Sequence, residues 1–299
     1  MKKLHLTRFA AMATVALMGT TAAWGAEGNG WYFDGGSELH LFSWPKNPDD
    51  ATLANGKVEI ESSDFVGQTI TKISVSRDAA AKTYSTLMLP VTVMVNEAVE
   101  HTANEGKVVA AYYPKSYTPE TFTLDMQSTN EIVANTPYIV EVSGAPQRFD
   151  FEKTSGSYTI VSTGDNEHAT TLSSTCWQFT GSYVQNSWGS AENLYGFDAA
   201  DGVFVKALSA TIYPMRAYLT CKNASPVYGL GKVAAEETLP DVIKVRFLDK
   251  DGGILSIGKM NTRTGDIQMQ DRYYDLKGRK LNGKPQNKIM YVNKKVIKH

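Results

Sequence analysis

Aromatic residues in polar surroundings are the first side chains in this sequence that could recognise a ligand. Four of them stand out: Trp31, Tyr32, Trp44 and Trp188. Exposed Trp and Tyr rings offer flat apolar platforms for sugar rings and lose little conformational entropy on binding. Asn186 is close in sequence to Trp188, and Asp34 is close to Tyr32, so both could supply polar groups to a ligand. For each of these four aromatic residues the sequence favours packing in the core or at its rim, and ligand binding is the alternative.

The motifs that usually carry hydrolysis or metal binding do not occur in the sequence. It has no GxSxG elbow, no HExxH and no CxxC pair. His40, His101 and His168 are far apart in polar segments, which favours surface histidines over metal ligands. We therefore predict no catalytic residue, no metal site and no cofactor. A hydrolase with an unrecognised pair of carboxylates is the alternative.

Two acidic residues, Asp249 and Asp251 in LDKDGG, resemble the start of a calcium loop. The later carboxylates and the closing Glu of such a loop are absent. Alternating apolar residues flank the segment, so we expect a hairpin turn there.

The chain has two cysteines, Cys176 and Cys221. In an exported protein they can oxidise, and closing a loop of this length would stabilise the fold by roughly 4 kcal/mol. In TCWQFTG, however, Trp177 and Phe179 share one strand face, which places Cys176 on the other. Cys221 is in phase with Leu219, toward the core. Opposite orientations disfavour a bond, so a disulfide and two separate thiols both stay open.

Hydrophobic alternation with a period of two runs through most of the chain and predicts strands. In STLMLPVTVMV, Leu87, Leu89 and Val91 fall on one face, and Met88 and Thr92 fall on the other. The segments FTLDM, YIVEV, RFDFE, VFVKA and MRAYLTC repeat this pattern between turn-forming residues. Short strands at this spacing predict an all-β chain folded as an antiparallel, jelly-roll-like β-sandwich.

The polar segment KVAAEETLPD, residues 232–241, divides the chain. It predicts a β-sandwich body over 26–235 and a small C-terminal β module over 236–299. Acidic residues outnumber basic ones in the body, and the balance reverses in the module. Phosphate binding needs a positive working surface, so the acidic body argues against nucleic acid as a partner.

Residues 1–25 predict a secretory signal peptide. MKKLHLTR is positively charged, FAAMATVALMGTTAA is apolar, and Ala23 and Gly25 are the small residues of a cleavage site before Ala26. The apolar run falls short of the roughly 20 residues that a spanning helix needs, and no later segment offers one. We therefore expect export to the periplasm and no transmembrane segment after signal cleavage.

The chain ends on YYDLKGRKLNGKPQNKIMYVNKKVIKH, where lysines surround two short apolar strands. This tail resembles the C-terminal sorting domains of type IX secretion cargo, with the pattern YDL-GR followed by KGIYI-NGKKV-K. The matching positions are Asp275, Leu276, Gly278, Arg279, Tyr291, Val292, Lys294 and Lys295. Asn287-Lys288 departs from the usual Lys-Gly. The resemblance implies that the outer-membrane secretion machinery of a gram-negative bacterium recognises about residues 271–299 and often removes them.

Two other interpretations of the tail stay open. It could be a plain terminal hairpin whose lysines protect a sheet edge from aggregation. It could also bind nucleic acid, although tyrosines within an amphipathic strand pattern are more typical of packing than of base stacking.

The body is similar to a β-rich module that recurs in large surface proteins of the same bacteria. The similar segments are YSTLMLPVTV, IVANTPYIVEV, FTGSY and NLYGFDAADGVFVKALSATIYPMRAYL, which lie within about 67–221. That module has no settled activity, so the resemblance implies a fold and a cellular location but no chemistry. We expect an exported, non-enzymatic protein, secreted or on the cell surface, with an adhesive or structural role. A carbohydrate-binding module is the first alternative, with polysaccharide as partner, and a hydrolase is the second.

Overall fold

A computed structural model describes the chain in several ranges. They are residues 26–43, 56–61, 65–76, 84–101, 106–143, 148–173, 175–188, 193–207, 209–221, 239–260, 267–269, 273–274, 289–292 and 295–298, with the backbone alone from 256 onward. These ranges contain strands, turns and two single-turn 3-10 helices, Val95–Glu97 and Pro119–Thr121. The predicted all-β class is confirmed. The predicted signal peptide lies outside the described residues.

The strands are numbered in chain order. They are β1 (Ala26–Gly28), β2 (Trp31–Phe33), β3 (Glu38–Phe42), β4 (Thr69–Ile70), β5 (Lys72–Ser76), β6 (Tyr84–Leu87), β7 (Val93–Met94), β8 (Ala98–Val99), β9 (Lys107–Thr118), β10 (Thr123–Thr129), β11 (Glu131–Ile132), β12 (Tyr138–Ser143), β13 (Arg148–Glu152) and β14 (Tyr158–Thr159). They continue with β15 (Glu167–Thr171), β16 (Trp177–Ser182), β17 (Asn186–Trp188), β18 (Leu194–Asp198), β19 (Val203–Lys206), β20 (Ala210–Ile212), β21 (Arg216–Cys221), β22 (Val242–Leu248), β23 (Ile254–Met260), β24 (Ile267–Met269), β25 (Tyr273–Tyr274), β26 (Ile289–Val292) and β27 (Lys295–Lys298).

A six-stranded sheet forms one layer, in the order β1-β2-β3-β5-β13-β8. Its strands pair antiparallel except β3 and β5, which run parallel. Alternation separates its two faces. The cross-strand neighbours Leu39, Ile73 and Phe151 are fully buried on the inner face. Glu38 and Lys72, also neighbours, lie on the outer face.

A larger, twelve-stranded sheet forms the rest of the body. Its main path is β15-β16-β21-β18-β19-β22-β10-β9-β12-β6, and β23 and β24 extend it from β22. The path curls back on itself, because β6 lies against β21. The backbone N–H of Ala217 donates to Thr86 Oγ1 over 3.0 Å, and the N–H of Met88 donates to the carbonyl of Met215 over 3.1 Å. The large sheet is therefore rolled, and it closes around an interior of its own.

Strand β12 separates two hydrophobic cores. Tyr138 and Val140 point into the first core, where the six-stranded sheet packs on the large sheet as in a sandwich. Ile139 points the other way, into the core inside the roll, with Phe179 and Phe204. Because side chains alternate along a strand, one strand of apolar residues serves both cores.

The C-terminal region begins as part of the body, and this corrects the predicted boundary at 235/236. Strand β22 pairs parallel with β10 and antiparallel with β19. Its residues Ile243, Val245 and Phe247 are buried in the core of the roll. The prediction was wrong here because the mostly polar segment before β22 suggested a domain boundary. The strand that follows instead lies between β10 and β19 in the large sheet.

The last strands form a separate three-stranded sheet in the order β25-β26-β27. Tyr273 pairs with Val292, and Tyr291 pairs with Val296. The sequence predicted two strands in this tail, and the structure adds β27 as a third. In the part of the chain that the structure describes, these three strands pair only with one another.

Candidate functional site

Trp188 lies on β17, which pairs with β20 beside the rolled sheet. Its ring meets the ring of Tyr218 on β21 edge to face, with centroids 5.1 Å apart. Trp188 is half-buried against Leu194 and Ile212. This packing fixes the indole and leaves part of it exposed, as a stacking platform requires.

A carboxylate and an amide adjoin this aromatic pair. Glu167 Oε1 accepts hydrogen bonds from Asn186 Nδ2 and from the Tyr218 hydroxyl, both over 2.8 Å. Asn186 Nδ2 also donates to Ser182 Oγ over 3.2 Å. Burial raises the pKa of Tyr218, and the hydrogen bond to Glu167 adds to this shift. Tyr218 therefore stays a neutral donor. We call Trp188, Tyr218, Glu167 and Asn186 the Trp188 cluster.

The register of the sheet explains how these residues meet. Glu167 is the cross-strand neighbour of Ser182, and Tyr218 is that of Thr180. Alternation therefore places Glu167, Ser182, Thr180 and Tyr218 on one face of β15, β16 and β21. This face is opposite the core of the roll. Sequence reasoning singled out Trp188 and Asn186 and missed Glu167 and Tyr218. Only long-range strand pairing brings the latter two to the site.

Trp31 does not belong to an exposed site, because it packs in the core, as the favoured interpretation of the sequence has it. Only 6% of its surface is exposed. Its Nε1 donates to the carbonyl of Glu59 over 2.7 Å, and its ring packs on Phe65 with centroids 4.6 Å apart. A Cβ at Gly28 would overlap the indole, so β1 is shaped around it. Trp31 is a core residue.

Tyr32 points to the opposite face and is 38% exposed. Its ring lies 5.6 Å from the ring of His40 on the outer face of the six-stranded sheet. Tyr32 therefore does not join Trp188. Trp44 lies outside the described residues.

Asp34 organises a turn. Its Oδ1 accepts backbone hydrogen bonds from Gly36 at 2.8 Å and from Ser37 and Glu38 at 3.1 Å each. Burial opposes ionisation, but these three donors outweigh it and lower the pKa of Asp34. Its side chain positions β3 and does not complete a sugar site with Trp188.

The outer face of the six-stranded sheet carries a ladder of ion pairs. Asp150 Oδ1 accepts hydrogen bonds from Arg148 Nε and Ser74 Oγ, both over 2.7 Å. Lys72 lies 3.5 Å from Glu38 and 3.3 Å from Glu152. Burial disfavours its charge, yet these carboxylates raise the pKa of Lys72.

The Lys72 pairs are partly exposed, and pairs of that kind contribute about 0.2–1 kcal/mol each. The charged groups of the ladder largely satisfy one another across neighbouring strands. We therefore interpret the ladder as a means of holding strands together.

His40, His101 and His168 have local structural roles, and so does the aspartate-rich loop. His40 lies 3.5 Å from Glu38, His101 bonds Glu152 at 2.8 Å, and His168 bonds the carbonyl of Thr163 at 3.1 Å. Asp249 Oδ1 accepts the backbone N–H groups of Asp251 and Gly253. The described residues contain no group of three or more His, Cys, Asp or Glu that could hold a metal ion.

A disulfide joins Cys176 and Cys221. The argument against it assumed that Cys176 belongs to the alternating strand. Instead, β16 begins at Trp177, whose cross-strand neighbour is Cys221. Cys176 precedes the strand, so its side chain can turn toward Cys221, which is buried.

The predicted sorting residues are only partly described. Tyr291 and Val292 lie on β26, and Lys295 begins β27. Five lie outside the described residues: Asp275, Leu276, Gly278, Arg279 and Lys294.

Comparisons with known proteins found no match. No family model, no curated protein and no solved structure matches it. Among the described residues, no helix is long and apolar enough to cross a membrane.

Proposed function

We propose that this chain is an exported, non-enzymatic β-protein that a gram-negative bacterium delivers to its surface or the medium. There the body serves adhesion or structure. The segment 1–25 supports entry into the periplasm, because it has the charge, apolar stretch and small residues of a signal peptide.

The observation that carries this proposal is the bond between Cys176 and Cys221. Disulfides persist in the periplasm and outside the cell, whereas cytosolic thiols are kept reduced. The bond joins the residue just before β16 to the last residue of β21 in the rolled sheet. A bonded pair at this position suits a protein that folds after export.

The tail supports the second step, passage across the outer membrane. Short amphipathic strands can add to an exposed sheet edge in a receptor. The strands β25, β26 and β27 pair with one another, which suits a docking element for the secretion machinery. This assignment rests on the resemblance of residues 271–299 to type IX sorting domains.

The proposal predicts both a location and a covalent state. After fractionation of the producing cells, the chain should be on the surface or in the medium, begin at Ala26 and contain no free thiol. A chain that keeps residues 1–25 and two free thiols in the cytosol would contradict it. The purified protein should also be inactive on a panel of glycans and esters, and turnover there would favour the hydrolase alternative.

A further inference from the structure

We propose that the Trp188 cluster is a binding site for a neutral polysaccharide. The site uses one of the four aromatic residues predicted from the sequence and adds two residues that no motif marks, Glu167 and Tyr218. It is independent of how the protein reaches the cell surface.

The aromatic part of the site is one ring, that of Trp188, which packs against Tyr218. Tyr218 is only 5% exposed and meets Trp188 edge to face. One partly exposed ring suits the apolar face of a sugar ring. An alkylammonium ligand favours several aromatic faces around the charge, and Tyr218 does not offer a second one.

The polar part of the site offers acceptors. Both donors to Glu167 use Oε1, and the two hydrogen bonds of Asn186 use its Nδ2. Glu167 Oε2 and Asn186 Oδ1 thus make no hydrogen bond within the described residues. Neighbouring hydroxyls of a sugar can donate to both. The two acceptors suit the hydroxyl donors of a sugar rather than the carboxylate or sulfate groups of an anionic polysaccharide, so we expect a neutral one.

A second observation is that buried polar atoms on the same sheet face lack hydrogen-bond partners. Thr180 Oγ1, Thr220 Oγ1 and Gln178 Oε1 are buried and make no hydrogen bond within the described residues. Thr180, which is 2% exposed, is the cross-strand neighbour of Tyr218. Buried polar atoms in native proteins are nearly always hydrogen-bonded. These oxygens therefore leave unused hydrogen-bonding capacity on the sheet face beside the Trp188 cluster.

The test is binding of the purified chain to mixed-linkage β-glucan, xylan, mannan and amylose, measured by affinity electrophoresis and calorimetry. Polygalacturonate is the anionic comparison. We expect at least one neutral polymer to retard the protein, and Trp188→Ala to weaken that binding by roughly tenfold or more. Tyr32→Ala is the matched control, an aromatic residue removed from the other exposed face, and it should bind as the wild type does.

Two more variants keep the test decisive if Trp188→Ala does not fold. Trp188→Phe keeps an aromatic face and should retain most of the affinity, whereas Glu167→Gln should weaken binding several-fold with an unchanged melting temperature. The proposal is overturned if no neutral polymer binds, if only polygalacturonate binds, or if Glu167→Gln binds as tightly as the wild type. None of these outcomes bears on export.

Discussion

Arg246 and Asp125 form a two-point ion pair across the parallel strands β22 and β10. Arg246 Nε lies 2.5 Å from Asp125 Oδ1, and Nη2 lies 2.6 Å from Oδ2. Ser116 on β9 donates to Oδ2 as well, over 3.0 Å. Asp125 is 6% exposed, and these donors supply its hydrogen bonds. The pair links β22, the strand that follows the predicted domain boundary, to β10 within the body.

Replacing Arg246 by Met should lower the free energy of unfolding by about 2 kcal/mol. Breaking a fully buried pair costs about 3–5 kcal/mol, and the cost is smaller here because 32% of the Arg246 side chain is exposed. Arg246→Lys, which keeps the charge without the two-point geometry, should lose less. Denaturant unfolding measures both, and wild-type stability in Arg246→Met would show that Asp125 does not need the pair.

Reduction of the disulfide should destabilise the body. The cysteines are 45 residues apart, and opening a loop of that length costs about 4 kcal/mol in the chain-entropy account. Thermal unfolding with and without dithiothreitol measures this. The double variant Cys176→Ser, Cys221→Ser is the control and should be insensitive to the reductant. Titration of two free thiols in the untreated, folded protein would contradict the bond.

Replacing Trp31 by Ala should destabilise the protein by about 3–5 kcal/mol, because it empties a core position and removes the hydrogen bond to Glu59. Tyr32→Ala should change stability by about 0.5 kcal/mol or less, since that ring is on the surface. Equal stabilities of the two variants, measured by denaturant unfolding, would show that Trp31 is not a core residue.

High pH should unfold the protein through its buried tyrosines. Burial raises the pKa of six of them: Tyr112, Tyr138, Tyr158, Tyr183, Tyr195 and Tyr218. In the unfolded chain a tyrosine loses its proton near pH 10, whereas Tyr195 in the fold does so at about 12. The stability from Tyr195 is therefore complete below about pH 10 and is lost as the pH rises to about 12.

Each such tyrosine should lower the stability by about 1.4 kcal/mol per pH unit in that window. The tyrosinate absorbance of these six tyrosines should appear above pH 10 together with the loss of the native circular dichroism. Tyr195→Phe should make the pH dependence shallower. Ionisation of all tyrosines near pH 10 with native circular dichroism would contradict the burial.

The strands were predictable where alternation is strong. Leu39 and Leu41 of ELHLF and the two phenylalanines of RFDFE are buried, as the alternation indicates. The same alternation could have set Trp31 apart from Tyr32, because Trp31 shares a face with Phe33 while Tyr32 points away. The local polarity around Trp31 suggested a loop and hid that signal.

What the sequence did not predict depends on pairing between distant strands. No local pattern shows that β22 runs parallel to β10, or that Glu167 and Tyr218 meet beside Trp188. The phase argument on Cys176 failed because a shift of one residue at the strand start changes which face a side chain takes.

The most direct test of the proposed export is removal of the tail. Deletion of residues 271–299 should leave the body folded, with its disulfide formed, and trapped in the periplasm. Quantitative fractionation beside the full-length chain measures this. Arrival of the truncated chain in the medium at the rate of the full-length chain would contradict the account. The tail would then not be a sorting signal.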